Sequence, residues 1–438
     1  MMQQCDHSMT LRPRQAPKTP YNASYPATLP FEIIRALFLC LFREAPLTAG
    51  HVVAQVCQSW RLIAIETGLL WSRIAFDGSM LRFNQQICWI KRSKDTLLDI
   101  DIAARLFHHP PSCGTKLRTI LDIITPEATR WYTFKVTGRL TSQAFVTLCE
   151  HLESVVPINL VSFTTSQLAP FERAPMTLRP FAGDTPKLRD LTLKQVPWSL
   201  GSPIFNNLRH LVLDDHGSGT VLNAEAIYNL LRRSPELEEF MLTSSKDWIV
   251  PKTRPAPLTH PRLSRERLQK MLISSQGIVD ILLQSIHLPS LLTLVKRYVL
   301  QPYMFPILLA FNTLTSLQDV TIFGSARSTI GQDANFLIQL PQVLSGLTSL
   351  VDIQFWEVDF QGQIVDQLAE LCPRVVCLTM KACEGFDGRA LREACEKKHT
   401  LGKSRRMQAV WIVDCARLKF ALEDQEWLYA NVDRVQWQ

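Results

Sequence analysis

A three-position apolar pattern recurs along the second half of this chain. Each copy has the form Leu-x-x-Leu-x-Leu with aliphatic or aromatic substitutions. The seven clear copies are Leu188/Leu191/Leu193, Leu208/Leu211/Leu213, Leu237/Phe240/Leu242, Leu317/Val320/Ile322, Leu350/Ile353/Phe355, Val375/Leu378/Met380 and Met407/Val410/Ile412. No single copy can bury its own apolar face. The pattern therefore predicts a stack of short parallel strands in which neighbouring units share one core.

The copies are unevenly spaced along the chain. Successive first positions lie 20 to 33 residues apart, except across one gap of 80 residues. A degraded copy near Leu291 falls inside this gap, with Lys296 where an apolar residue is expected. Apolar residues at helical spacing over 224–232 and 363–371 predict helices that cover the outside of the strands. The predicted fold class is α/β, an irregular solenoid of parallel strands with outer helices.

A strongly apolar segment, residues 28–76, precedes the repeats. Pro30 suits the first turn of a helix, and apolar residues then recur at helical spacing. Pro46 and Gly50 interrupt this pattern, which resumes on a second predicted helix over 52–64. The segment is too short to be a stable domain alone and too apolar to be a solvated surface. It therefore predicts a short helical module that docks on a partner.

These helices resemble an F-box, the module that joins proteins to the Skp-family adaptor of Skp–cullin–F-box ubiquitin ligases. The matching residues are Leu29-Pro30-x-Glu32-Ile33, Val56-Cys57-x-x-Trp60-Arg61-x-Ile63-Ala64 and Leu70-Trp71. The chain beyond them resembles the fungal F-box proteins with divergent leucine-rich repeats. That resemblance rests on Trp89-Ile90-Lys91-Arg92-Ser93, Leu97 to Ile102, Arg130-Trp131 and Cys372-Pro373 to Cys383. The departures from the usual F-box pattern are an aromatic first helix, 31–40, and a long loop, 43–51.

The resemblance implies a substrate-receptor subunit of a ubiquitin ligase. Residues 28–76 would bind the Skp-family adaptor, and through it a cullin, while a leucine-rich-repeat domain over 77–438 would bind an unknown target protein. The adaptor-facing or module-building residues carried over are Leu29, Pro30, Ile33, Leu37, Val56, Cys57, Trp60, Ile63, Leu70 and Trp71. Such a subunit is not an enzyme, because it contributes only proximity between target and conjugating enzyme. The alternative is a leucine-rich-repeat interaction scaffold with a degenerate F-box.

Composition and charge argue against several other classes. Residues 1–27 are polar and rich in proline without an apolar period, so a disordered tail and no signal peptide are expected. Eleven cysteines, mostly inside apolar runs, favour a reducing compartment, the cytoplasm or the nucleus. The net charge of +7 includes one tight basic cluster, Lys403–Arg406, which is not the dense stripe of a nucleic-acid binder.

Proline placement decides how two further segments are interpreted. Tyr298–Gln318 carries no charge over about the length of a membrane span, but Pro302 and Pro306 would each remove a helical hydrogen bond. We therefore expect a short helix and a strand there, with no membrane contact. The segment 244–262, which holds four prolines and four basic residues, predicts an exposed loop within repeats that are clearest over 185–415.

A cysteine-rich region near the end of the chain is a candidate metal site. Its possible ligands are Cys372, Cys377, Cys383, Cys395 and His399. Four-ligand zinc sites usually contain a Cys-x-x-Cys pair, which is absent from this set. The cysteines are therefore expected to pack as small apolar residues, and no metal or cofactor is predicted.

Two polar loops are weaker candidates for chemistry. His108-His109, followed by two prolines and Cys113, could bind a metal, but the prolines favour a solvated turn. Asp214, His216 and Ser218 could serve a hydrolase, but the Gly-x-Ser-x-Gly elbow is missing and such residues commonly form turns. Phosphate loops and dinucleotide fingerprints are also absent from the sequence. No enzymatic activity is predicted.

Overall fold

The structure, a computed structural model, divides into a helical unit and a sheet unit. The described residues are 29–76, 83–103, 113–138, 140–166, 181, 185–194, 201–214, 224–243, 263–273, 282, 285–297, 314, 316–323, 340–342, 344–360, 365–400, 406–415, 418 and 420–437. The compact units are Met1–Trp71 and Ser72–Gln438. The tail predicted for 1–27 and the loop predicted for 244–262 lie outside the described residues.

The helical unit contains three helices where the sequence predicted two. They are α1 Phe31–Glu44, α2 Ala49–Ala54 and α3 Gln58–Glu66, followed by a 3-10 turn at Gly68–Trp71. The prediction of one helix over 52–64 was wrong, because Cys57 adopts an extended backbone and its Sγ accepts the first-turn N–H of Trp60. A residue that offers the backbone such a cap starts a new helix instead of continuing the old one.

Gly50 was expected to interrupt helical structure, and this prediction was wrong. It lies within α2, where a Cβ would stand 2.9 Å from the Leu70 carbonyl oxygen and 3.2 Å from the Trp71 ring. Glycine is needed here for close packing and not for a turn. The loop predicted over 43–51 is consequently shorter, since only Ala45–Thr48 separates α1 from α2.

The sheet unit is built from parallel strands that pair in chain order. The strands are β1 Arg73–Phe76, β2 Leu98–Ala103, β3 Trp131–Thr137, β4 Ser162–Ser166, β5 Asp190–Lys194, β6 His210–Asp214, β7 Glu239–Thr243, β8 Leu263–Ser264, β9 Lys270–Ile273, β10 Ile286–His287, β11 Thr293–Arg297, β12 Asp319–Phe323, β13 Asp352–Trp356, β14 Cys377–Lys381, β15 Ala409–Val413 and β16 Arg434–Trp437. Within the described residues, fourteen of them form one sheet, and β8 pairs with β10 separately. The predicted α/β class with parallel strands is confirmed.

Helices connect many of these strands. They are α4 Phe83–Arg92, α5 Cys113–Ile124, α6 Ser142–Glu153, α7 Ala224–Arg233, α8 Leu368–Leu371, α9 Gly388–Thr400 and α10 Leu422–Asn431. Shorter 3-10 turns lie at Thr125–Arg130, Pro203–Phe205 and Val365–Gln367. The helix predicted over 224–232 is α7. The helix predicted over 363–371 is instead the last of these turns followed by the single turn of α8.

The core of the sheet unit is a set of rows that cross neighbouring strands. One row, in register from β5 to β15, is Leu191, Leu211, Phe240, Met271, Leu294, Val320, Ile353, Leu378 and Val410. All nine side chains are buried. The row continues through Phe163, Phe134 and Ile100 to Ile74 at the β1 edge. Each strand therefore buries its apolar face against its neighbours, as the repeated pattern predicted.

The sequence analysis missed one complete copy of the pattern. Leu268, Met271 and Ile273 are buried and build β9 inside the 80-residue gap, where β11 is the degraded copy. Another missed copy precedes the clear repeats, with Phe163 buried on β4 and Thr165 standing in the second inward position. The pattern did not predict these two strands, because methionine on β9 and threonine on β4 replace leucine at consensus positions.

Residues 72–76 lie in the sheet unit, although the sequence analysis grouped them with the helices. Ile74 and Phe76 on β1 are buried and pair with Ile100 and Ile102 on β2. Their alternating burial is that of a strand with one face in the core.

Candidate binding surface of the helical unit

Helix α1 presents apolar side chains on both of its faces. Ile34 and Phe38 are buried in the helical unit, and Phe38 meets the Trp60 ring edge to face at 5.1 Å between centroids. Ile33, which precedes Ile34, is 49% exposed, and Leu37, which precedes Phe38, is 50% exposed. A helix that needs only to fold its own unit carries polar residues on the face away from the core. The outward face of α1 is therefore built to meet something other than its own core.

The outward residues of α1 form one stripe, which we call the α1 stripe: Ile33, Leu37 and Leu41. They lie four residues apart, so successive members stand one turn above another on the same face. Leu29, 43% exposed, precedes the helix, and the Pro30 carbonyl accepts the N–H groups of Ile33 and Ile34. Pro30 thereby fixes the helix start and holds Leu29 at the end of the stripe.

Exposed apolar side chains are concentrated in this unit. Of the seventeen large apolar residues that are exposed in the described part of the chain, ten lie between residues 29 and 69. Those not predicted as site residues are Phe31, Leu41, Leu47, Val52, Leu62 and Leu69. The signal that would have found them is the presence of apolar residues on both helix faces. Contiguous apolar surface of this kind marks interaction sites in soluble proteins.

The ten predicted site residues divide by burial. Leu29, Pro30, Ile33, Leu37, Val56 and Cys57 are exposed, Trp60 and Ile63 are half-buried, and Leu70 and Trp71 are buried. The buried pair holds the unit together, since the Trp71 indole N–H donates to the Ala64 carbonyl at 2.7 Å. The six exposed residues are the ones free to contact a partner, and the structure does not bring all ten onto one surface.

Trp60 is intermediate in burial between the exposed and the buried site residues. Its indole Nε1 is buried and has no hydrogen-bond partner among the described residues. Leaving a buried donor without an acceptor costs roughly 1–3 kcal/mol. Next to it, the Arg61 guanidinium donates from Nε to the Ala54 carbonyl at 2.8 Å, which ties the end of α2 to α3.

The sheet unit offers a second, polar surface on the outward face of its strands. Asp190, His210, Glu239 and Lys270 follow one another in register on β5, β6, β7 and β9. His210 Nδ1 lies 2.5 Å from Asp190 Oδ1, and Lys270 Nζ lies 2.7 Å from Glu239 Oε1. Acidic and basic side chains therefore alternate across these strands and contact each other in pairs.

Further along the same row, two carboxylates stand side by side. Asp319 on β12 and Asp352 on β13 are register partners. Burial, and then the charge of Asp319, raise the pKa of the Asp352 carboxyl. Like charges directly opposite each other destabilise a sheet, so this part of the surface suits a basic partner group better than an acidic one.

The candidate zinc ligands are packed thiols. Cys372, Cys383 and Cys395 are buried, and burial raises the pKa of the Cys372 and Cys395 thiols to about 12. Zinc binds the thiolate, which burial disfavours at these two positions. Among the described residues no group of three His, Cys, Asp or Glu side chains is arranged to hold a metal ion.

The other candidate loops are largely outside the described residues. His108, His109, His216 and Ser218 all fall there. Asp214 is described, and its carboxylate accepts a hydrogen bond from the Thr243 hydroxyl on the next strand. Most of Tyr298–Gln318 is also outside, and the helices in the described ranges include none long and apolar enough to span a bilayer.

Comparison with known proteins adds no family assignment. No protein-family model matches the chain, and no curated protein matches its sequence.

Proposed function

We propose that this chain is the substrate-receptor subunit of a Skp–cullin–F-box ubiquitin ligase. In this proposal the helical unit is the F-box, and the sheet unit is a divergent leucine-rich-repeat domain that binds a target protein. The observation that carries it is the α1 stripe with Leu29 at its end, because Leu29 and Ile33 in it match the F-box pattern and are exposed. Burying one fully exposed aliphatic side chain in a partner's groove contributes roughly 1.5–3 kcal/mol to the free energy of binding.

The proposed adaptor contact is an apolar groove that receives the start of α1. Leu29, Ile33 and Leu37 supply aliphatic side chains from a helix that is already folded, so little ordering is required on binding. Val56 and Cys57, exposed between α2 and α3, would extend the contact.

Target binding is assigned to the polar outward face of the strands. That face is held in place, because the opposite side of the large sheet, from β1 to β15, belongs to the shared core. The Asp319–Asp352 pair favours a target segment that carries lysine or arginine. The chain itself would break no bond, and its effect on ubiquitin transfer is a raised local concentration of the target lysine.

Co-purification with a Skp-family adaptor tests the proposal. We expect the full chain to bind the adaptor and the Leu29→Ala/Pro30→Ala variant to bind at least about tenfold more weakly, since apolar anchors dominate such interfaces. Ile33→Ala/Leu37→Ala should act in the same direction. Leu422→Ala is the control, because Leu422 is an even more exposed leucine, on α10 of the sheet unit.

The outcomes separate the proposal from its alternative. Failure of the wild-type chain to bind any Skp-family adaptor would sink the proposal. Adaptor binding without recovery of a cullin would favour an interaction scaffold with a degenerate F-box. Recovery of both, lost together in the Leu29→Ala/Pro30→Ala variant, supports the ligase subunit.

A further inference from the structure

Two cysteines meet at the carboxyl ends of neighbouring strands. β14 ends at Lys381 and β15 at Val413, and a cysteine stands two residues beyond each strand, at Cys383 and Cys415. The intervening residues, Ala382 and Asp414, adopt positive φ of 49° and 55°. The two turns therefore have the same backbone shape, and they place the two cysteines at equivalent positions on adjacent repeats.

Hydrogen bonds hold the turns together. The Ala382 N–H donates to the Val413 carbonyl at 2.8 Å, which extends the ladder one residue past the strands. The Cys383 N–H then donates to the Cys415 sulfur at 3.3 Å. Adjacent strands lie about 4.8 Å apart, and disulfides join Cα atoms about 4.4–6.8 Å apart. The strand spacing therefore lies in the range that a disulfide joins, and closing the bond requires the Cys383 sulfur to turn away from the Phe355 carbonyl oxygen, which lies 3.3 Å from it.

The two thiols differ in their environment. Cys383 is fully buried, whereas Cys415 is half-buried. The neighbouring Cys383 side chain, and then the Cys383 N–H that donates to the Cys415 sulfur, lower the pKa of Cys415, against the opposing effect of partial burial. The Cys415 side chain and burial raise the pKa of Cys383. Cys415 is therefore the nucleophile of the pair and Cys383 the proton-bearing partner.

The site accommodates both protonation states of Cys415. As a thiol it has two acceptors, since its sulfur lies 3.4 Å from the Val413 carbonyl oxygen and 3.5 Å from that of Met380. As a thiolate it keeps the Cys383 N–H as a donor at 3.3 Å. The other buried cysteines lack this arrangement: burial raises the pKa of Cys149, Cys372 and Cys395 to about 12.

A cavity gives access to Cys415. It has a volume of about 640 Å³, and its lining includes Cys415, Gln425, Phe420 and Trp437. A water molecule occupies roughly 30 Å³ of liquid, so a peroxide fits with room to orient its O–O bond toward the sulfur.

We propose that Cys415 and Cys383 form a peroxide-reactive dithiol site that closes to a disulfide. The Cys415 thiolate attacks one oxygen of hydrogen peroxide, the O–O bond breaks, and hydroxide leaves, which gives a sulfenic acid on Cys415. The Cys383 sulfur then attacks the Cys415 sulfur; the S–O bond breaks, and its oxygen leaves as water with the Cys383 proton. Peroxide is reduced and the dithiol is oxidised, and thiol reductants reverse the bond.

The disulfide is directly measurable in the full-length chain. Trypsin places the two cysteines on separate peptides, 382–389 and 407–417, with no other cysteine on either. After mild treatment with hydrogen peroxide, alkylation and digestion, we expect the linked pair of peptides, and we expect dithiothreitol to abolish it. Cys149, Cys372 and Cys395 should remain reduced under the same conditions and serve as internal controls. Absence of the linked pair would overturn the proposal.

A second measurement assigns the two roles. Cys383→Ser removes the resolving thiol, so a sulfenic acid should persist on Cys415 and be trapped by dimedone. In the wild type, iodoacetamide at neutral pH should alkylate Cys415 at least about tenfold faster than Cys372, because only Cys415 carries a substantial thiolate fraction. Dimedone trapping on Cys383 of the Cys415→Ser variant, or equal alkylation rates for Cys415 and Cys372, would contradict the assignment.

Discussion

At the scale of single residues, cysteine has different roles at different positions in this chain. Cys57 caps a helix, Cys372 and Cys395 fill the core, and Cys415 faces a cavity. Burial decides the ionisation of the core thiols, since the thiolate loses its hydration there. At Cys415 the neighbouring Cys383 outweighs partial burial and stabilises the thiolate.

The core thiols predict a loss of stability in alkali. An unfolded thiol ionises near its ordinary value of 9.0, while folded Cys372 and Cys395 stay protonated to about pH 12. Because the folded pKa values are raised, the free energy of unfolding falls as pH rises from about 9 to about 12. The fall is about 1.4 kcal/mol per pH unit for each thiol.

Urea unfolding measured at about pH 8 and about pH 10 tests this prediction. Cys372→Ala/Cys395→Ala should lose stability overall, because it leaves cavities, but should show a shallower fall between the two pH values. Cys40→Ala, which removes an exposed thiol, should keep the wild-type slope. An unchanged slope in the double variant would contradict the prediction.

At the scale of elements, the buried guanidinium of Arg265 caps the C-terminal end of helix α7. Arg265 is 7% exposed, and its Nε and Nη2 donate to the Leu231 carbonyl at 3.0 and 2.8 Å. Its Nη1 donates to the Ser264 carbonyl at 2.8 Å, and burial lowers the pKa of this arginine. One side chain from the next repeat thus satisfies a carbonyl in the last turn of the helix, where intrahelical donors run out.

Arg265→Met should lower the free energy of unfolding by roughly 1–3 kcal/mol, because the buried Leu231 carbonyl would keep only the Ser234 N–H, 3.2 Å away, as a donor. Arg267→Met is the matched control two residues away, since Arg267 forms only an exposed ion pair with Glu236 and should lose at most about 1 kcal/mol. Urea titration measures both. Equal losses would show that the capping contacts at Leu231 contribute no more than a surface ion pair.

At the scale of the whole molecule, the sheet unit is held together by contacts between neighbours. Strands pair with those that precede and follow them in sequence, and the inward rows continue across these pairings. In such an array a lost contact weakens the adjacent units first, and distant units depend on it only indirectly.

Phe355→Ala on β13 should destabilise its surroundings by roughly 3–5 kcal/mol, because the side chain is buried and makes an edge-to-face contact with Phe360. Hydrogen exchange should accelerate most in β12, β13 and β14, while β2, β3 and β4 keep their protection. Phe134→Ala on β3 should give the reverse pattern. Uniform loss of protection across the sheet in both variants would indicate one cooperative unit.

Local patterns predicted much of the fold because burial on one face leaves a period in the sequence. The three-position repeat located β5, β6, β7 and β12 to β15, and its degraded copy marked β11. It missed β9, where Met271 and Ile273 replaced the consensus leucines, and it did not locate β8, β10 or β16. The roles of Gly50 and Cys57 could not be predicted from the sequence. Gly50 is needed because it packs against Trp71, and Cys57 starts a helix because its sulfur accepts the N–H of Trp60. Those contacts exist only after the chain has folded.

The repeated apolar positions alone determined an α/β stack with parallel strands. The apolar residues at helical spacing over 28–76 determined a separate segment before it. Tertiary structure decided which apolar side chains of that segment stay in water, because a helical period shows that residues are apolar but not which of two apolar faces is covered. It also decided that Cys383 meets Cys415. These residues are 32 positions apart in sequence, and only the pairing of β14 with β15 brings them together.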